Sequence, residues 1–502
     1  MTVEQEAVGG TDEDMTDTHH YDIIIIGGGP AGQSAAEFSA IAKRRTLVIE
    51  RKVLGGLVVT TGGGPTKTLR EAALHLTGFR YRDLYGLTEQ PDIGMAVERT
   101  RARTREVSSA LQNFTRSVFL DMLGVDVVYG SASLGPNRTV IVTPSEGSET
   151  ERVFTAQKIL IATGSLPFHP ANIPFDDPDI FDSEELPKLK RVPKNALVVG
   201  GGSIGCEFAS IFTAFGIPVT VVQSGEHLLS TMDSELSRLL CRIFENQEMR
   251  ILLGTGVHAA GRVNGELQVT LETHEVLRPD IVLFATGRTV NTEGLSLDTA
   301  GVKLNARGIV QVDNHFQTSV EGIYAAGDVI GPSLASVSME QGRVAACHAL
   351  GLGFKEKLDP LSVSAVYSVP EVAGVGLTED NAKEQGIDYE VGRCNFGTIP
   401  RGFISGDSDG MLKLVFRRHD RHLLGVHILG DIASELIALG QATIHNSDTI
   451  DVFNNLTFAT PTYTMAYKYA AFDGFKRLAV DDHFPNIRST KLNSGEHNQT
   501  QE

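Results

Sequence analysis

The chain has no tryptophan and only four cysteines in 502 residues: Cys206, Cys241, Cys347 and Cys394. None of them forms a CxxC or CxxxxC pair. That excludes a disulfide framework and a zinc ribbon, and it fits a reducing, cytoplasmic setting. No apolar run reaches the ~20 residues that a membrane helix needs, so no membrane partner is expected. Positive charge is also scarce, with 44 Lys and Arg against 62 Asp and Glu and a net charge of -18. Such a chain is repelled by nucleic acid unless a local basic patch intervenes. The best candidate patch is Arg99, Arg101, Arg103 and Arg105. These alternate in a helical stretch beside Glu98 and Glu106 and read as a solvated helix face. Residues 1–20 lack the apolar core of a signal peptide. They and residues 481–502 read as disordered tails. His427, His445, Tyr463 and Tyr467 have no ligand spacing, so no metal is assigned.

Glycine is abundant, at 52 residues. Several glycines fall between Glu50 and Arg70, in ERKVLGGLVVTTGGGPTKTLR, where a strand should end at Glu50 and a helix should begin near Pro65. Upstream, Tyr21–Ile26 is a continuous apolar run, the pattern of a strand buried on both faces. The fingerprint Gly27-x-Gly29-x-x-Gly32 follows, then a helix, then a strand ending in Glu50, eighteen residues after Gly32. In a βαβ context this is the dinucleotide-binding device. Its glycines admit a pyrophosphate at a helix N-terminus, and its acid accepts hydrogen bonds from an adenosine ribose. The device recurs as Gly200-x-Gly202-x-x-Gly205, each glycine 173 positions after its counterpart, with Gln223 where the acid should be. Two dinucleotides and two nucleotide-binding domains are therefore expected. Ala-Thr-Gly turns close strands at Ala162-Thr163-Gly164 and before Gly287-Arg288, and a Gly-Asp turn ends at Asp328. Beyond about residue 361 the pattern becomes α+β.

Two GxGxxG units, two ATG turns, a late AGD and an α+β tail together resemble the pyridine nucleotide–disulfide oxidoreductases, the flavoprotein superfamily of dihydrolipoamide dehydrogenase and glutathione reductase. The resemblance implies an α/β fold with two Rossmann-like domains plus a C-terminal α+β dimerisation domain, and hence a homodimer. It divides the chain into an FAD-binding domain at 21–166 and 291–360, an NAD(P)-binding domain at 167–290 and a dimerisation domain at 361–480. It implies that Gly27, Gly29, Gly32, Glu50, Ala162, Thr163, Gly164 and Asp328 bind FAD. It likewise implies that Gly200, Gly202, Gly205, Gln223, Gly287 and Arg288 serve the nicotinamide dinucleotide. Lys67 and Glu207 would pair beside flavin N5, where hydride arrives.

The departures carry the function. Most members of that superfamily place two cysteines in the glycine-rich stretch, and those positions fall here on Val58 and Gly63. Most also carry a C-terminal His-Pro-x-x-x-Glu, whose histidine and glutamate fall on Thr460 and Met465. Thiols and their acid/base partner are missing together, so dithiol chemistry is not expected. One branch fits these losses, the soluble FAD-dependent pyridine nucleotide transhydrogenases, which GCEFASIF at 205–212 and NLTFATPTYTMAYKYAA at 455–471 resemble. The implied reaction is a ping-pong hydride transfer between NADPH/NADP and NAD/NADH through the flavin. Neutral Gln223 is compatible with accepting both cofactors. Two alternatives stay open. One is an NAD(P)H oxidase or quinone/dye reductase, with a cavity at the small residues Val58, Gly63 and Gly64. The other is a catalytically degenerate flavoprotein acting as a redox-state binding subunit.

Overall fold

The computed structural model describes residues 20–77, 85–86, 92–144 and 150–480. The expected disordered tails lie outside the described residues, apart from His20, which starts the first strand. The chain divides into two compact units, Met1–Ser230 with Arg238–Val369, and Thr231–Ser237 with Pro370–Glu502.

The larger unit contains two parallel sheets built on one plan. The first begins with β1 (His20–Ile26), α1 (Pro30–Ile41) and β2 (Thr46–Glu50). After β2 come the short helix α2 (Leu57–Thr60) and the helices α3 (Gly64–Thr77) and α4 (Ile93–Ser117). Then follow β3 (Asp126–Leu134), β4 (Thr139–Pro144) and β5 (Arg152–Ile161). Strand β1 pairs in parallel with β2 on one side and β5 on the other, and β3 extends the sheet beyond β2. The far ends of β3 and β5 splay away and pair antiparallel with β4 to form a small meander. This explains why YDIIII is apolar throughout. Alternate side chains of a strand point to opposite faces. Ile23 and Ile25 pack among helix residues such as Ala35, Ala36 and Val344. Ile24 and Ile26 pack against meander residues such as Val140 and Phe154.

The second sheet contains β6 (Ile180–Asp182), β7 (Ala196–Val199), α5 (Ser203–Ala214), β8 (Val219–Gln223), β9 (Arg250–Leu253) and β10 (Ile281–Phe284). Its parallel order is β9-β8-β7-β10-β6. The chain then returns to the first sheet, where β11 (Ile323–Ala325) pairs with β5 and α6 (Ala335–Leu350) packs on α1. That contact is close: a Cβ on Gly342 would stand 2.0 Å from the Ala31 carbonyl oxygen.

The smaller unit has an antiparallel sheet of β12 (Glu371–Gly376), β13 (Tyr389–Asn395), β14 (Met411–Arg417) and β15 (Leu423–Gly430), in the order β12-β15-β14-β13. Helices α7 (Ala433–His445) and α8 (Met465–Val480) lie against it. Among the described residues, no helix is long and apolar enough to cross a membrane. The arginine-rich stretch lies on α4, where Arg99, Arg103 and Arg105 are exposed and Arg101 turns in to the Leu189 and Lys190 carbonyls.

Candidate active site

The two Gly-loops repeat each other atom by atom. Gly27 takes φ +107 and Gly200 φ +110, a region that L side chains rarely adopt. A Cβ on either would stand 2.3 Å from a carbonyl oxygen, that of Ala162 for Gly27 and that of Ala285 for Gly200. Each loop therefore nests against the Ala of an Ala-Thr-Gly turn. Gly32 and Gly205 close the helix onto the loop, for a Cβ there would meet the oxygen of Gly27 or Gly200 at 1.9 and 1.8 Å. The middle glycines, Gly29 and Gly202, have nothing within 4 Å of an added Cβ. Both are the N-caps of their helices, α1 and α5, and neither cap is satisfied by a side chain. Two positively polarised helix starts thus face open space over bare backbone. That cradle suits a pyrophosphate, and FAD and a nicotinamide dinucleotide both contain one.

The strand ends match as well. Glu50 Oε2 accepts the Gly28 N–H at 2.8 Å, and Gln223 Oε1 accepts the Gly201 N–H at 2.8 Å. In the first turn, Thr163 donates to the Asn291 carbonyl at 2.7 Å, and Gly164 lies at φ +73. Asp328 accepts from Ser165 Oγ at 2.5 Å and from the Ser333 N–H at 3.0 Å. Gly287 lies at φ +130, and Arg288 leaves that turn in the direction of the first module. Its guanidinium donates to Ser165 Oγ at 2.7 Å and to Glu184 at 2.8 Å, and it lies 3.9 Å from Asp328. Arg288 therefore ties the Asp328 corner to Glu184.

Lys67 and Glu207 meet as the sequence suggests. Lys67 Nζ lies 3.0 and 3.2 Å from the two Glu207 carboxylate oxygens, one of which also accepts the Tyr367 N–H at 3.0 Å. Glu207 is only 7% exposed, and these donors satisfy its carboxylate oxygens. Lys67 also lies 4.7 Å from the Tyr367 ring centroid, a cation–π contact. Sequence reading missed this third member, because nothing local marks a residue 160 positions from Glu207 as its neighbour. Ser165 carried a weak signal, since it directly follows the Ala-Thr-Gly turn.

The glycine-rich stretch folds over the first cradle. Gly55 N–H donates to the Gly28 carbonyl at 2.7 Å, and a Cβ on Gly56 would lie 3.1 Å from Gly29 Cα. A side chain at Gly63 or Gly64 would meet a close neighbour. A Cβ on Gly63 would meet the Val58 carbonyl oxygen at 2.4 Å, and one on Gly64 would meet Leu111 at 2.4 Å. The four cysteines are unpaired. Burial pushes every one of their thiols up, Cys394 to about 11, so none supplies a ready thiolate.

A fold of two dinucleotide modules plus an antiparallel tail domain, with an ion pair in the dinucleotide unit, defines a two-nucleotide flavoprotein oxidoreductase. The chain belongs to the pyridine nucleotide-disulphide oxidoreductase family, whose model matches residues 21–342, while the family's dimerisation domain matches residues 362–471. It is an NAD(P)-dependent enzyme using FAD, and its partner is a second copy of the chain. It is 38% identical over 421 residues to the soluble pyridine nucleotide transhydrogenase of Mycobacterium bovis (strain BCG / Pasteur 1173P2), covering 84% of this chain and 89% of that one. It is 35% identical to the protein of that name from Pseudomonas fluorescens (strain Pf0-1), covering 82% and 89%. Among solved structures it resembles LpdA from Mycobacterium tuberculosis, with a TM-score of 0.82, 28% identity and coverage of 92% and 100%. It also resembles the HOCl-induced flavoprotein disulfide reductase RclA from Escherichia coli in its Cu(II) complex, with a TM-score of 0.81, 28% identity and the same coverage.

Proposed function

We propose that the protein is a soluble, cytoplasmic transhydrogenase. It moves hydride between NADPH/NADP and NAD/NADH by ping-pong, with no redox disulfide. The observation that carries this reading is the pairing of an intact Lys67–Glu207 site with a glycine-rich stretch in which Val58 backbone occupies the space of a side chain at Gly63. Electrons have a way in and no dithiol way out. The relatives named soluble pyridine nucleotide transhydrogenase support the same reading.

Gly27, Gly29 and Gly32 with the α1 N-terminus would hold the FAD pyrophosphate, Glu50 the adenosine ribose, and Asp328 with its Ser165 and Ser333 partners the ribityl chain. Gly200, Gly202 and Gly205 would hold the nicotinamide dinucleotide. Bound FAD supplies a two-electron carrier that accepts hydride from one nicotinamide and returns it to another. Lys67 is the cation that would balance the negative charge arising at that step, and Glu207 positions it. One nicotinamide must leave before the other enters the same site. No protein acid has to move a proton, so positioning provides the rate.

The test is anaerobic turnover of NADPH with an NAD analogue, compared with turnover on a quinone. Transhydrogenation should be the faster. A quinone rate above it sinks the proposal, and purified protein without flavin sinks it at the outset.

A further inference from the structure

Lys67 and Glu207 each have a companion one turn further along the same helix. Arg70 follows Lys67 by three residues on α3, and Ser210 follows Glu207 by three on α5, so each pair shares a helix face. All four side chains converge on the tripeptide Tyr367-Ser368-Val369. Glu207 accepts the Tyr367 N–H at 3.0 Å, Arg70 Nε donates to the Ser368 carbonyl at 3.2 Å, and Ser210 Oγ accepts the Val369 N–H at 3.1 Å. Lys67 Nζ lies 4.7 Å from the Tyr367 ring centroid. Arg70, Glu207, Ser210 and Ser368 are all buried, where hydrogen bonds are strengthened by the low local dielectric. A main chain gripped at three consecutive residues by two helices cannot slide along either of them.

The ring completes the enclosure of the Lys67 ammonium. Nζ has the two Glu207 oxygens at 3.0 and 3.2 Å, the Gly62 carbonyl at 3.4 Å and the face of Tyr367. An aromatic face attracts a cation without taking up an N–H donor and without adding negative charge. A second carboxylate in its place would also hold the lysine, but it would make the pair net negative and oppose the charge that arises as hydride arrives. We propose that Tyr367 is a positioning residue for hydride entry. Its main-chain N–H fixes Glu207 and its ring fixes Lys67, so the ammonium is aimed before a nicotinamide binds. The inference rests on the Lys67–Glu207 pair being the place where hydride enters.

The test is potentiometric titration of the flavin in the holoenzyme, with anaerobic stopped-flow reduction by NADPH beside it. The variants are Tyr367→Leu, Tyr367→Met and Tyr367→Phe, with Lys67→Met for comparison. Leu and Met keep the main-chain N–H and remove the aromatic face. Both should slow flavin reduction about threefold to thirtyfold, the range of one cation–π contact, and leave the apparent Kd for NADPH unchanged. Both should also lower the flavin midpoint potential in the direction that Lys67→Met lowers it. Tyr367→Phe keeps the ring and should recover rate and potential together. Wild-type rate and potential in the Leu and Met variants overturn the inference. A raised Kd with an unchanged potential also overturns it, since the ring would then be a contact of the nicotinamide. So does a loss in Tyr367→Phe equal to that in Tyr367→Leu, since the hydroxyl would then be the operative group. A Lys67→Met enzyme with wild-type rate and potential brings down the reading of the pair itself. A Lys67→Met effect that neither Leu nor Met at 367 shares brings down this inference alone.

Discussion

Val58 occupies the space that a side chain on Gly63 would need: a Cβ there would lie 2.4 Å from the Val58 carbonyl oxygen and 2.7 Å from its Cα. Replacing the two residues by cysteine therefore cannot restore a disulfide without moving backbone. Gly63→Cys should cost about 1–3 kcal/mol by overpacking, because the obstructing atoms belong to main chain and cannot rotate away. The double variant with Val58→Cys should reduce lipoamide or a glutathione disulfide no faster than the wild type. Urea unfolding and a dithiol assay check both expectations, and a gain of disulfide reductase activity would refute the packing argument.

Lys67→Met should slow flavin reduction by NADPH about 10²-fold, the size seen when one preorganised donor is removed from a charge-developing site. Glu207→Gln should be milder on this step, since the amide oxygen still accepts the Tyr367 N–H that Glu207 now takes at 3.0 Å. Stopped-flow bleaching of the flavin separates these steps from product release. If Lys67→Met left the reduction rate unchanged, Lys67 would have no catalytic part.

How much of this could be read in advance depended on distance along the chain. Both Gly-loops were legible because every member of each fingerprint lies within one βαβ unit, and the steric demands on Gly32 and Gly205 come from Gly27 and Gly200 of the same loops, whereas those on Gly27 and Gly200 come from the distant Ala162 and Ala285 carbonyls. Lys67 and Glu207 lie 140 residues apart and were matched only through family resemblance. The contacts of Arg288 were not legible either, since its Ala-Thr-Gly-Arg turn belongs to the second module. Residues Arg288–Val290, however, pair antiparallel with Ser165–Pro167, and this pairing carries the guanidinium to Ser165 and Asp328. Small residues at Gly63 also permit close approach of backbone, and the Val58 carbonyl lies where a Gly63 side chain would stand.

Charge buried in the smaller unit was invisible in the sequence for the same reason, and it makes that unit acid-sensitive. Lys413 is 1% exposed and lies within 3.0 Å of Asp233, 2.9 Å of Glu235 and 2.6 Å of Glu379, while Arg393 grips Glu235 at 2.8 Å. Burial alone would raise Glu235, but Arg393 and Lys413 outweigh it and hold the carboxyl at about 2. Burial also lowers His427 below its ordinary 6.5. Both folded values lie below the unfolded ones, so their contribution is present at neutral pH and is lost as pH falls. The loss begins below about 6.5 with His427 and continues from 4.5 toward 2 with Glu235. Lys413→Met should remove about 3–5 kcal/mol, because Asp233 is left buried without its cation. Denaturant unfolding at pH 7 and pH 4 measures both effects. An Asp233→Asn partner should recover part of the loss if the uncompensated charge is its cause.

The Gly-loops permit a sharper separation of folding from binding. Gly29 and Gly202 have no atom within 4 Å of an added Cβ, and their φ values of -75 and -78 are ones any residue adopts. Gly29→Ala should therefore fold, with a melting temperature close to that of the wild type, yet lose FAD on purification. Its methyl stands where a pyrophosphate must approach the α1 N-terminus. Gly202→Ala should retain FAD and bind nicotinamide dinucleotides at least about tenfold more weakly. Gly32→Ala should fail at the level of folding, since its Cβ would meet the Gly27 oxygen at 1.9 Å. The ratio of flavin to protein absorbance, read beside a melting curve, distinguishes the three. Loss of FAD in Gly202→Ala with retention in Gly29→Ala would reverse the assignment of the two modules.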